Sequence, residues 1–92
     1  MAKIDVREVN AITFHVTVSV TNTTEHEVSV QPEYARMLCR DSMSTLDLVK
    51  KSFQFLLERE SNNSILRKFD LRVINQYFPE YESEIIKWAI LE

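Results

Sequence analysis

The sequence predicts an α+β fold in which a small antiparallel sheet from residues 1–31 packs on a helical half from residues 32–92, as one domain. Three observations carry this. Apolar and polar residues alternate with period two over Ile12–Val20 and again over His26–Val30. Apolar residues recur on a 3.6-residue period over Ser44–Glu60. Pro32 divides the two regimes, since proline cannot donate to a sheet ladder but suits the first turn of a helix.

Taken in order, Ile4-Asp5-Val6-Arg7 alternates and reads as a short first strand that breaks near Glu8–Asn10. In the next run Ile12, Phe14, Val16, Val18 and Val20 point one way and Thr13, His15, Thr17 and Ser19 the other. His26, Val28 and Val30 carry the apolar set of the third run, against Glu27, Ser29 and Gln31. Bringing both apolar sets to one face requires paired residue numbers to have an even sum. This predicts Val16 with Val30, Val18 with Val28 and Val20 with His26, closed by the odd loop Asn22-Thr23-Thr24. Glycine is absent, so left-handed turn positions fall to residues such as Asn22, Asn62 and Asn63.

Pro32–Cys39 reads as a short helix with Tyr34, Met37 and Leu38 on its apolar side, followed by the connector Arg40–Met43. Ser44 with Asp47 forms a capping-box variant at the start of the central helix. That helix has a main stripe of Leu46, Val49, Phe53, Leu56 and Leu57, while Leu48 and Phe55 lie off it and polar residues keep only the arc of Lys50, Lys51, Gln54 and Glu58. So apolar a helix needs cover on two sides. It is expected to stop at Ser61–Asn63, with Ser64 capping a short helix Ile65–Phe69 and Asp70 capping another, Leu71–Phe78, through Leu71, Ile74, Tyr77 and Phe78. Pro79 breaks the chain before a last helix, Glu80–Leu91, with Tyr81, Ile85, Trp88 and Ala89 as its stripe and Glu80, Glu82 and Glu84 near its positive end.

The formal charge of −3 and pI near 5.4 argue against binding nucleic acid or an anionic membrane by bulk electrostatics. Basic residues number four in 1–43 and seven in 44–92, against six and eight acids, so neither half is a basic tail. The single cysteine, Cys39, excludes an internal disulfide and fits a reducing, cytoplasmic setting. The first residues lack an apolar core like that of a signal peptide, and no run approaches the ~18 apolar residues of a membrane span.

The strings SFQFLLERE, SILRKFDLRVINQYFP and PEYESEI, within Ser52–Ile85, resemble a group of short bacterial proteins that carry no assigned activity. The resemblance implies a β-hairpin ahead of a helical half and a bacterial source, and nothing about chemistry. In that group a proline is expected after Glu-Arg-Glu, where this chain has Ser61.

No catalytic constellation, cofactor motif or metal-ligand set stands out. His15 and His26 could share a metal or a proton only if they faced the same way, and the strand parity sets them on opposite faces. A Cys39–histidine pair lacks an orienting third group. Glu58, Arg59, Glu60, Arg67, Lys68 and Asp70 suit surface pairing, with Arg59 and Glu60 placed to tie the helix end to its following loop. An enzyme would need a pocket with convergent polar groups around His15, Cys39 or Arg59. Ser64–Lys87 can be read as a helix-turn-helix, but Glu80, Glu82 and Glu84 would then meet phosphates. Arg67, Lys68 and Arg72, joined by Lys50 and Lys51, form the alternative nucleic-acid patch. Phe53, Phe55, Phe69, Tyr77, Phe78, Tyr81 and Trp88 are read as core aromatics. The apolar residues left over are Leu48, Phe55, Ile86 and Ile90, expected to meet a partner. The functional expectation is a non-catalytic protein-interaction module. It pairs with itself or another protein, through that strip or through the edge of Ile12–Val20 or Ile4–Val6; the alternative is a regulatory nucleic-acid binder.

Overall fold

The period-two alternation becomes three antiparallel strands, β1 (Lys3–Glu8), β2 (Thr13–Ser19) and β3 (Thr23–Ser29). The structure, a computed structural model, describes residues 2–40 and 42–91, with side chains through Ala89 in the last helix. Asn10 makes the turn between β1 and β2 without glycine, its Oδ1 accepting from the amides of Ile12 and Thr13, each at 3.0 Å. Between β2 and β3 the expected parity holds but the register is displaced. Phe14 rather than Val18 opposes Val28, Val16 opposes His26, and the loop is Val20-Thr21-Asn22 instead of Asn22-Thr23-Thr24. Thr24 and His26 therefore point inward, 2% and 1% exposed, while Ile12 and Val20 are left outside. A register chosen for apolar pairing could not foresee this, because the groups that make inward polar residues tolerable come from the helical half. Asn62 Nδ2 donates to Thr24 Oγ1 at 3.1 Å, and His26 Nδ1 lies 2.8 Å from Leu66 O.

A fourth strand, β4 (Lys68–Asp70), runs parallel to β3 and gives the sheet order β1-β2-β3-β4. It replaces the helix expected over Ile65–Phe69, and only the 3-10 turn Asn62–Ser64 precedes it. One helical turn gains little in isolation. As a strand the segment instead satisfies the outer edge of β3, where Glu27 N donates to Arg67 O at 2.8 Å and Leu71 N to Ser29 O at 2.9 Å.

The helices are α1 (Pro32–Cys39), α2 (Thr45–Leu57), α3 (Val73–Tyr77) and α4 (Tyr81–Leu91). α1 has the predicted bounds and ends on Arg40 at φ 49° and ψ 39°, a left-handed cap that glycine usually supplies. Its buried side holds Tyr34, Ala35, Leu38 and Cys39, and Met37 is exposed instead of buried. Ser44 Oγ accepts from Asp47 N at 3.1 Å, so the cap of α2 is as expected, although the helix stops at Leu57, short of Glu60. α3 is shorter than Leu71–Phe78, and Asp70 Oδ1 accepts from Arg72 N at 3.0 Å just before it.

α2 is covered on both sides by its own chain. Val49, Phe53 and Leu56 are buried, with the Phe53 ring 5.3 Å from His26 and 6.0 Å from Phe69 on the sheet side; Leu46, at the helix start, is exposed. On the other side Phe55 meets Tyr81 at 5.2 Å and Phe78 at 6.0 Å in edge-to-face contacts. Ser52 Oγ, bonded to Leu48 O at 2.7 Å and Tyr81 O–H at 2.6 Å, satisfies the polar atoms of this second interface. Phe55→Ala should therefore cost ~3–5 kcal/mol of stability in urea unfolding. Leu46→Ala should stay within ~0.5 kcal/mol. Similar losses at the two positions would mean that Phe55 is not enclosed within the chain.

Candidate functional site

Two of the four residues of the strip expected to meet a partner are closed inside the chain. Leu48 and Phe55 are both 0% exposed, Ile86 packs partly buried against the same core, and the side chain of Ile90 lies outside the described residues. α4 supplies the cover, and a charge placed at Phe55 would test folding and not association.

The basic residues do not gather. Lys68 Nζ is 3.5 Å from Glu27 Oε2 on the exposed sheet face, and the Arg72 guanidinium lies 5.2 Å from the Tyr34 ring. Lys50 lines a groove at the opposite sheet edge, and Lys51 lies 5.8 Å over Trp88. Lys50 thus lies at the sheet edge opposite Lys68, so the wider patch that would join Lys50 and Lys51 to Arg67, Lys68 and Arg72 does not form. With β4 inside it and only a five-residue α3, Ser64–Lys87 is not a helix-turn-helix.

The two histidines look out of opposite faces, as the parity required. His15 Nε2 donates to Glu25 Oε1 at 2.9 Å in an open depression on the outer face, shared with Asp5, Arg7 and Thr17. His26 is not at a strand end but in the middle of β3, within a buried relay. Asn62 donates to Thr24, Thr24 O–H lies 2.9 Å from His26 Nε2, and His26 Nδ1 meets Leu66 O. The relay is satisfied by one neutral tautomer, with the proton on Nδ1. Burial, more than the opposing pull of its bond to Leu66 or repulsion by Arg67, lowers the His26 pKa below 6.5.

Cys39 closes α1, and its thiol donates to Ser44 O at 3.9 Å. Burial, helped by Asp47, pushes the thiol pKa up, which keeps it protonated and a poor nucleophile. Among the described residues neither histidine contacts it, and no group of three His, Cys, Asp or Glu side chains could hold a metal.

Arg59 does tie the end of α2. Its guanidinium lies 3.6 Å from the Phe55 ring, Nε donates to Glu80 Oε2 at 3.0 Å and an Nη to Phe55 O at 3.2 Å. Glu80's own amide and Arg59 hold its carboxyl below the usual range. These contacts join α2 to the start of α4.

The unsatisfied feature is the outer edge of β1. Val9 N donates to Thr13 O at 2.8 Å, which makes Val9–Thr13 a hydrogen-bonded pair. Alternation then makes Arg7–His15, Asp5–Thr17 and Lys3–Ser19 the bonded pairs, so the N–H and C=O groups of Ile4, Val6 and Glu8 face away from the sheet. Beside this edge a groove of about 680 Å³ runs between Ala2–Asp5 and the α2 residues Lys50, Gln54, Leu57 and Glu58. The sequence reading names both Ile4–Val6 and Ile12–Val20 as edges, and the second is an interior strand. What it missed was the spacing of Asp5 and Arg7 on either side of Val6, legible once Val6 is known to open outward.

Compared with known protein families, with curated proteins and with solved structures, the chain matches none. No helix among the described residues is long and apolar enough to cross a membrane.

The buried relay makes a pH prediction. Folded His26 holds its proton less well than the unfolded residue, so below pH 6.5 the unfolded chain binds more protons and stability falls. Its contribution is complete above pH 6.5 and is lost as pH drops toward the lowered folded value. Urea unfolding of wild type and His26→Gln at pH 7.5, 6.5 and 5.5 checks this. The wild-type decline should exceed that of the variant, and parallel declines would remove His26 as the cause.

Proposed function

We propose that the protein is a non-catalytic interaction module that pairs with a second copy of itself through the outer edge of β1. One observation carries the reading: this edge is open and its charges are self-complementary. In an antiparallel pairing that uses the outward groups of Ile4, Val6 and Glu8, a two-fold axis at Val6 sets Asp5 opposite Arg7 of the partner subunit, twice per dimer. Displacing the register by one step in either direction sets Asp5 against Asp5 or Arg7 against Arg7. The charges thus select the full-length register over its neighbours. Charged side chains, lysine above all, commonly guard an edge against pairing, but those of β1 are of both signs and match those of a second copy. The paired sheets would be continuous, with eight strands from two copies of the four present. A reducing, cytoplasmic setting belongs to the same proposal, supported by the buried free thiol of Cys39.

Charge exchange tests the pairing by sedimentation. Asp5→Arg and Arg7→Asp, each placing like charges opposite one another, should weaken association by about tenfold or more, since every tenfold is about 1.4 kcal/mol. The double exchange should restore it to near wild type, which general surface damage would not allow. A wild-type chain that stays monomeric at high micromolar concentration would end the proposal.

A further inference from the structure

At the sheet edge away from β1, the end of α2 and the segment from Ser64 to Phe78 enclose a groove of about 220 Å³. Its walls include Leu56, Phe69, Val73 and Ile74, and Leu66 and Tyr77 stand beside it 47% and 67% exposed. Those walls are pinned, because Asn62 is bonded to Thr24, Leu66 O to His26 and β4 to β3. One carboxylate lines the groove. Glu60 is half-buried there, desolvation raises its pKa, and among the described residues no cation lies within ion-pair distance of it. The remaining lining is apolar or aromatic apart from the Ser64 and Tyr77 hydroxyls. A half-buried carboxylate without a partner is costly, and a cation is what offsets that cost. The aromatic rings of Phe69, Tyr77 and Phe78 favour the same sign of charge.

We infer that this groove binds a small organic ammonium ion, its cationic head on Glu60 and one ring-sized apolar group among Leu56, Phe69, Val73 and Tyr77. The volume admits a single such group rather than a run of side chains. β4 has only Lys68 and Asp70 with outward backbone groups, too short an edge to add a peptide strand. Both facts favour a free small molecule over a peptide. The site lies at the opposite sheet edge from the self-pairing surface and does not depend on it.

Amide-resolved NMR titration of the full chain with 2-phenylethylammonium, 2-phenylethanol and 3-phenylpropionate tests the inference. The ammonium ion should give saturable shifts centred on Glu60, Leu66, Phe69, Val73 and Tyr77. The alcohol should bind about fivefold more weakly, the worth of a partly screened ion pair. The carboxylate should bind more weakly still. Glu60→Gln should bring the ammonium ion to the alcohol's level, and Val73→Trp, which fills the groove, should abolish binding, each variant keeping a folded spectrum. Equal binding of the three probes, indifference to Glu60→Gln, shifts centred elsewhere or no saturation would each overturn the inference. So would a lysine-containing peptide that outcompetes the free amine, since it would assign the groove to a protein partner.

Discussion

The structure depends on satisfying both sides of α2 at once. Its sheet side, centred on Phe53, is buried against His26 and Phe69, and its other side, centred on Phe55, is buried against Phe78 and Tyr81. A helix with that much apolar surface cannot rest on a sheet alone, so the segment after it must turn back and cover it. Arg59 secures that return by stacking on Phe55 while bonded to Glu80, and the Ser52–Tyr81 contact removes the polar atoms that would otherwise weaken the seam.

A second constraint governs the join between sheet and helices. Thr24 and His26 occupy positions in β3 that an apolar core would give to valine, and they are tolerated because Asn62 and Leu66 O complete their hydrogen bonds. The same bonds hold the chain beside β3, where Lys68–Asp70 becomes a strand. Asn22 and Asn63 extend the join at the hairpin tip, with Nδ2 of one donating to Oδ1 of the other at 2.7 Å. Polar residues here fix which segment lies against which, a role that apolar contact alone performs less selectively.

Features governed by neighbours in sequence were legible in the chain. The strand alternation, the bounds of α1, the Ser44 cap and the two-sided character of α2 follow from local periodicity and capping chemistry. Features decided by distant partners were not. The hairpin register turned on Asn62, the conversion of Ile65–Phe69 turned on the unpaired edge of β3, and the fate of Leu48 and Phe55 turned on where α4 docks. The candidate surfaces follow the same division. The β1 edge was visible as a possibility from Ile4–Val6, whereas the groove at Glu60 could not be seen while its walls were read as helices.

With α2 enclosed, the backbone of β1 is where the described fold keeps most of its unused pairing capacity. Hydrogen exchange measured across a dilution series reads both surfaces, α2 and the β1 edge, in one experiment. Amides of Ser52 through Leu56 should stay protected at every concentration, while those of Ile4, Val6 and Glu8 should gain protection only as concentration rises. Loss of protection in α2 on dilution would show that a second chain completes the core, and concentration-independent exchange along β1 would show that its edge takes no partner copy.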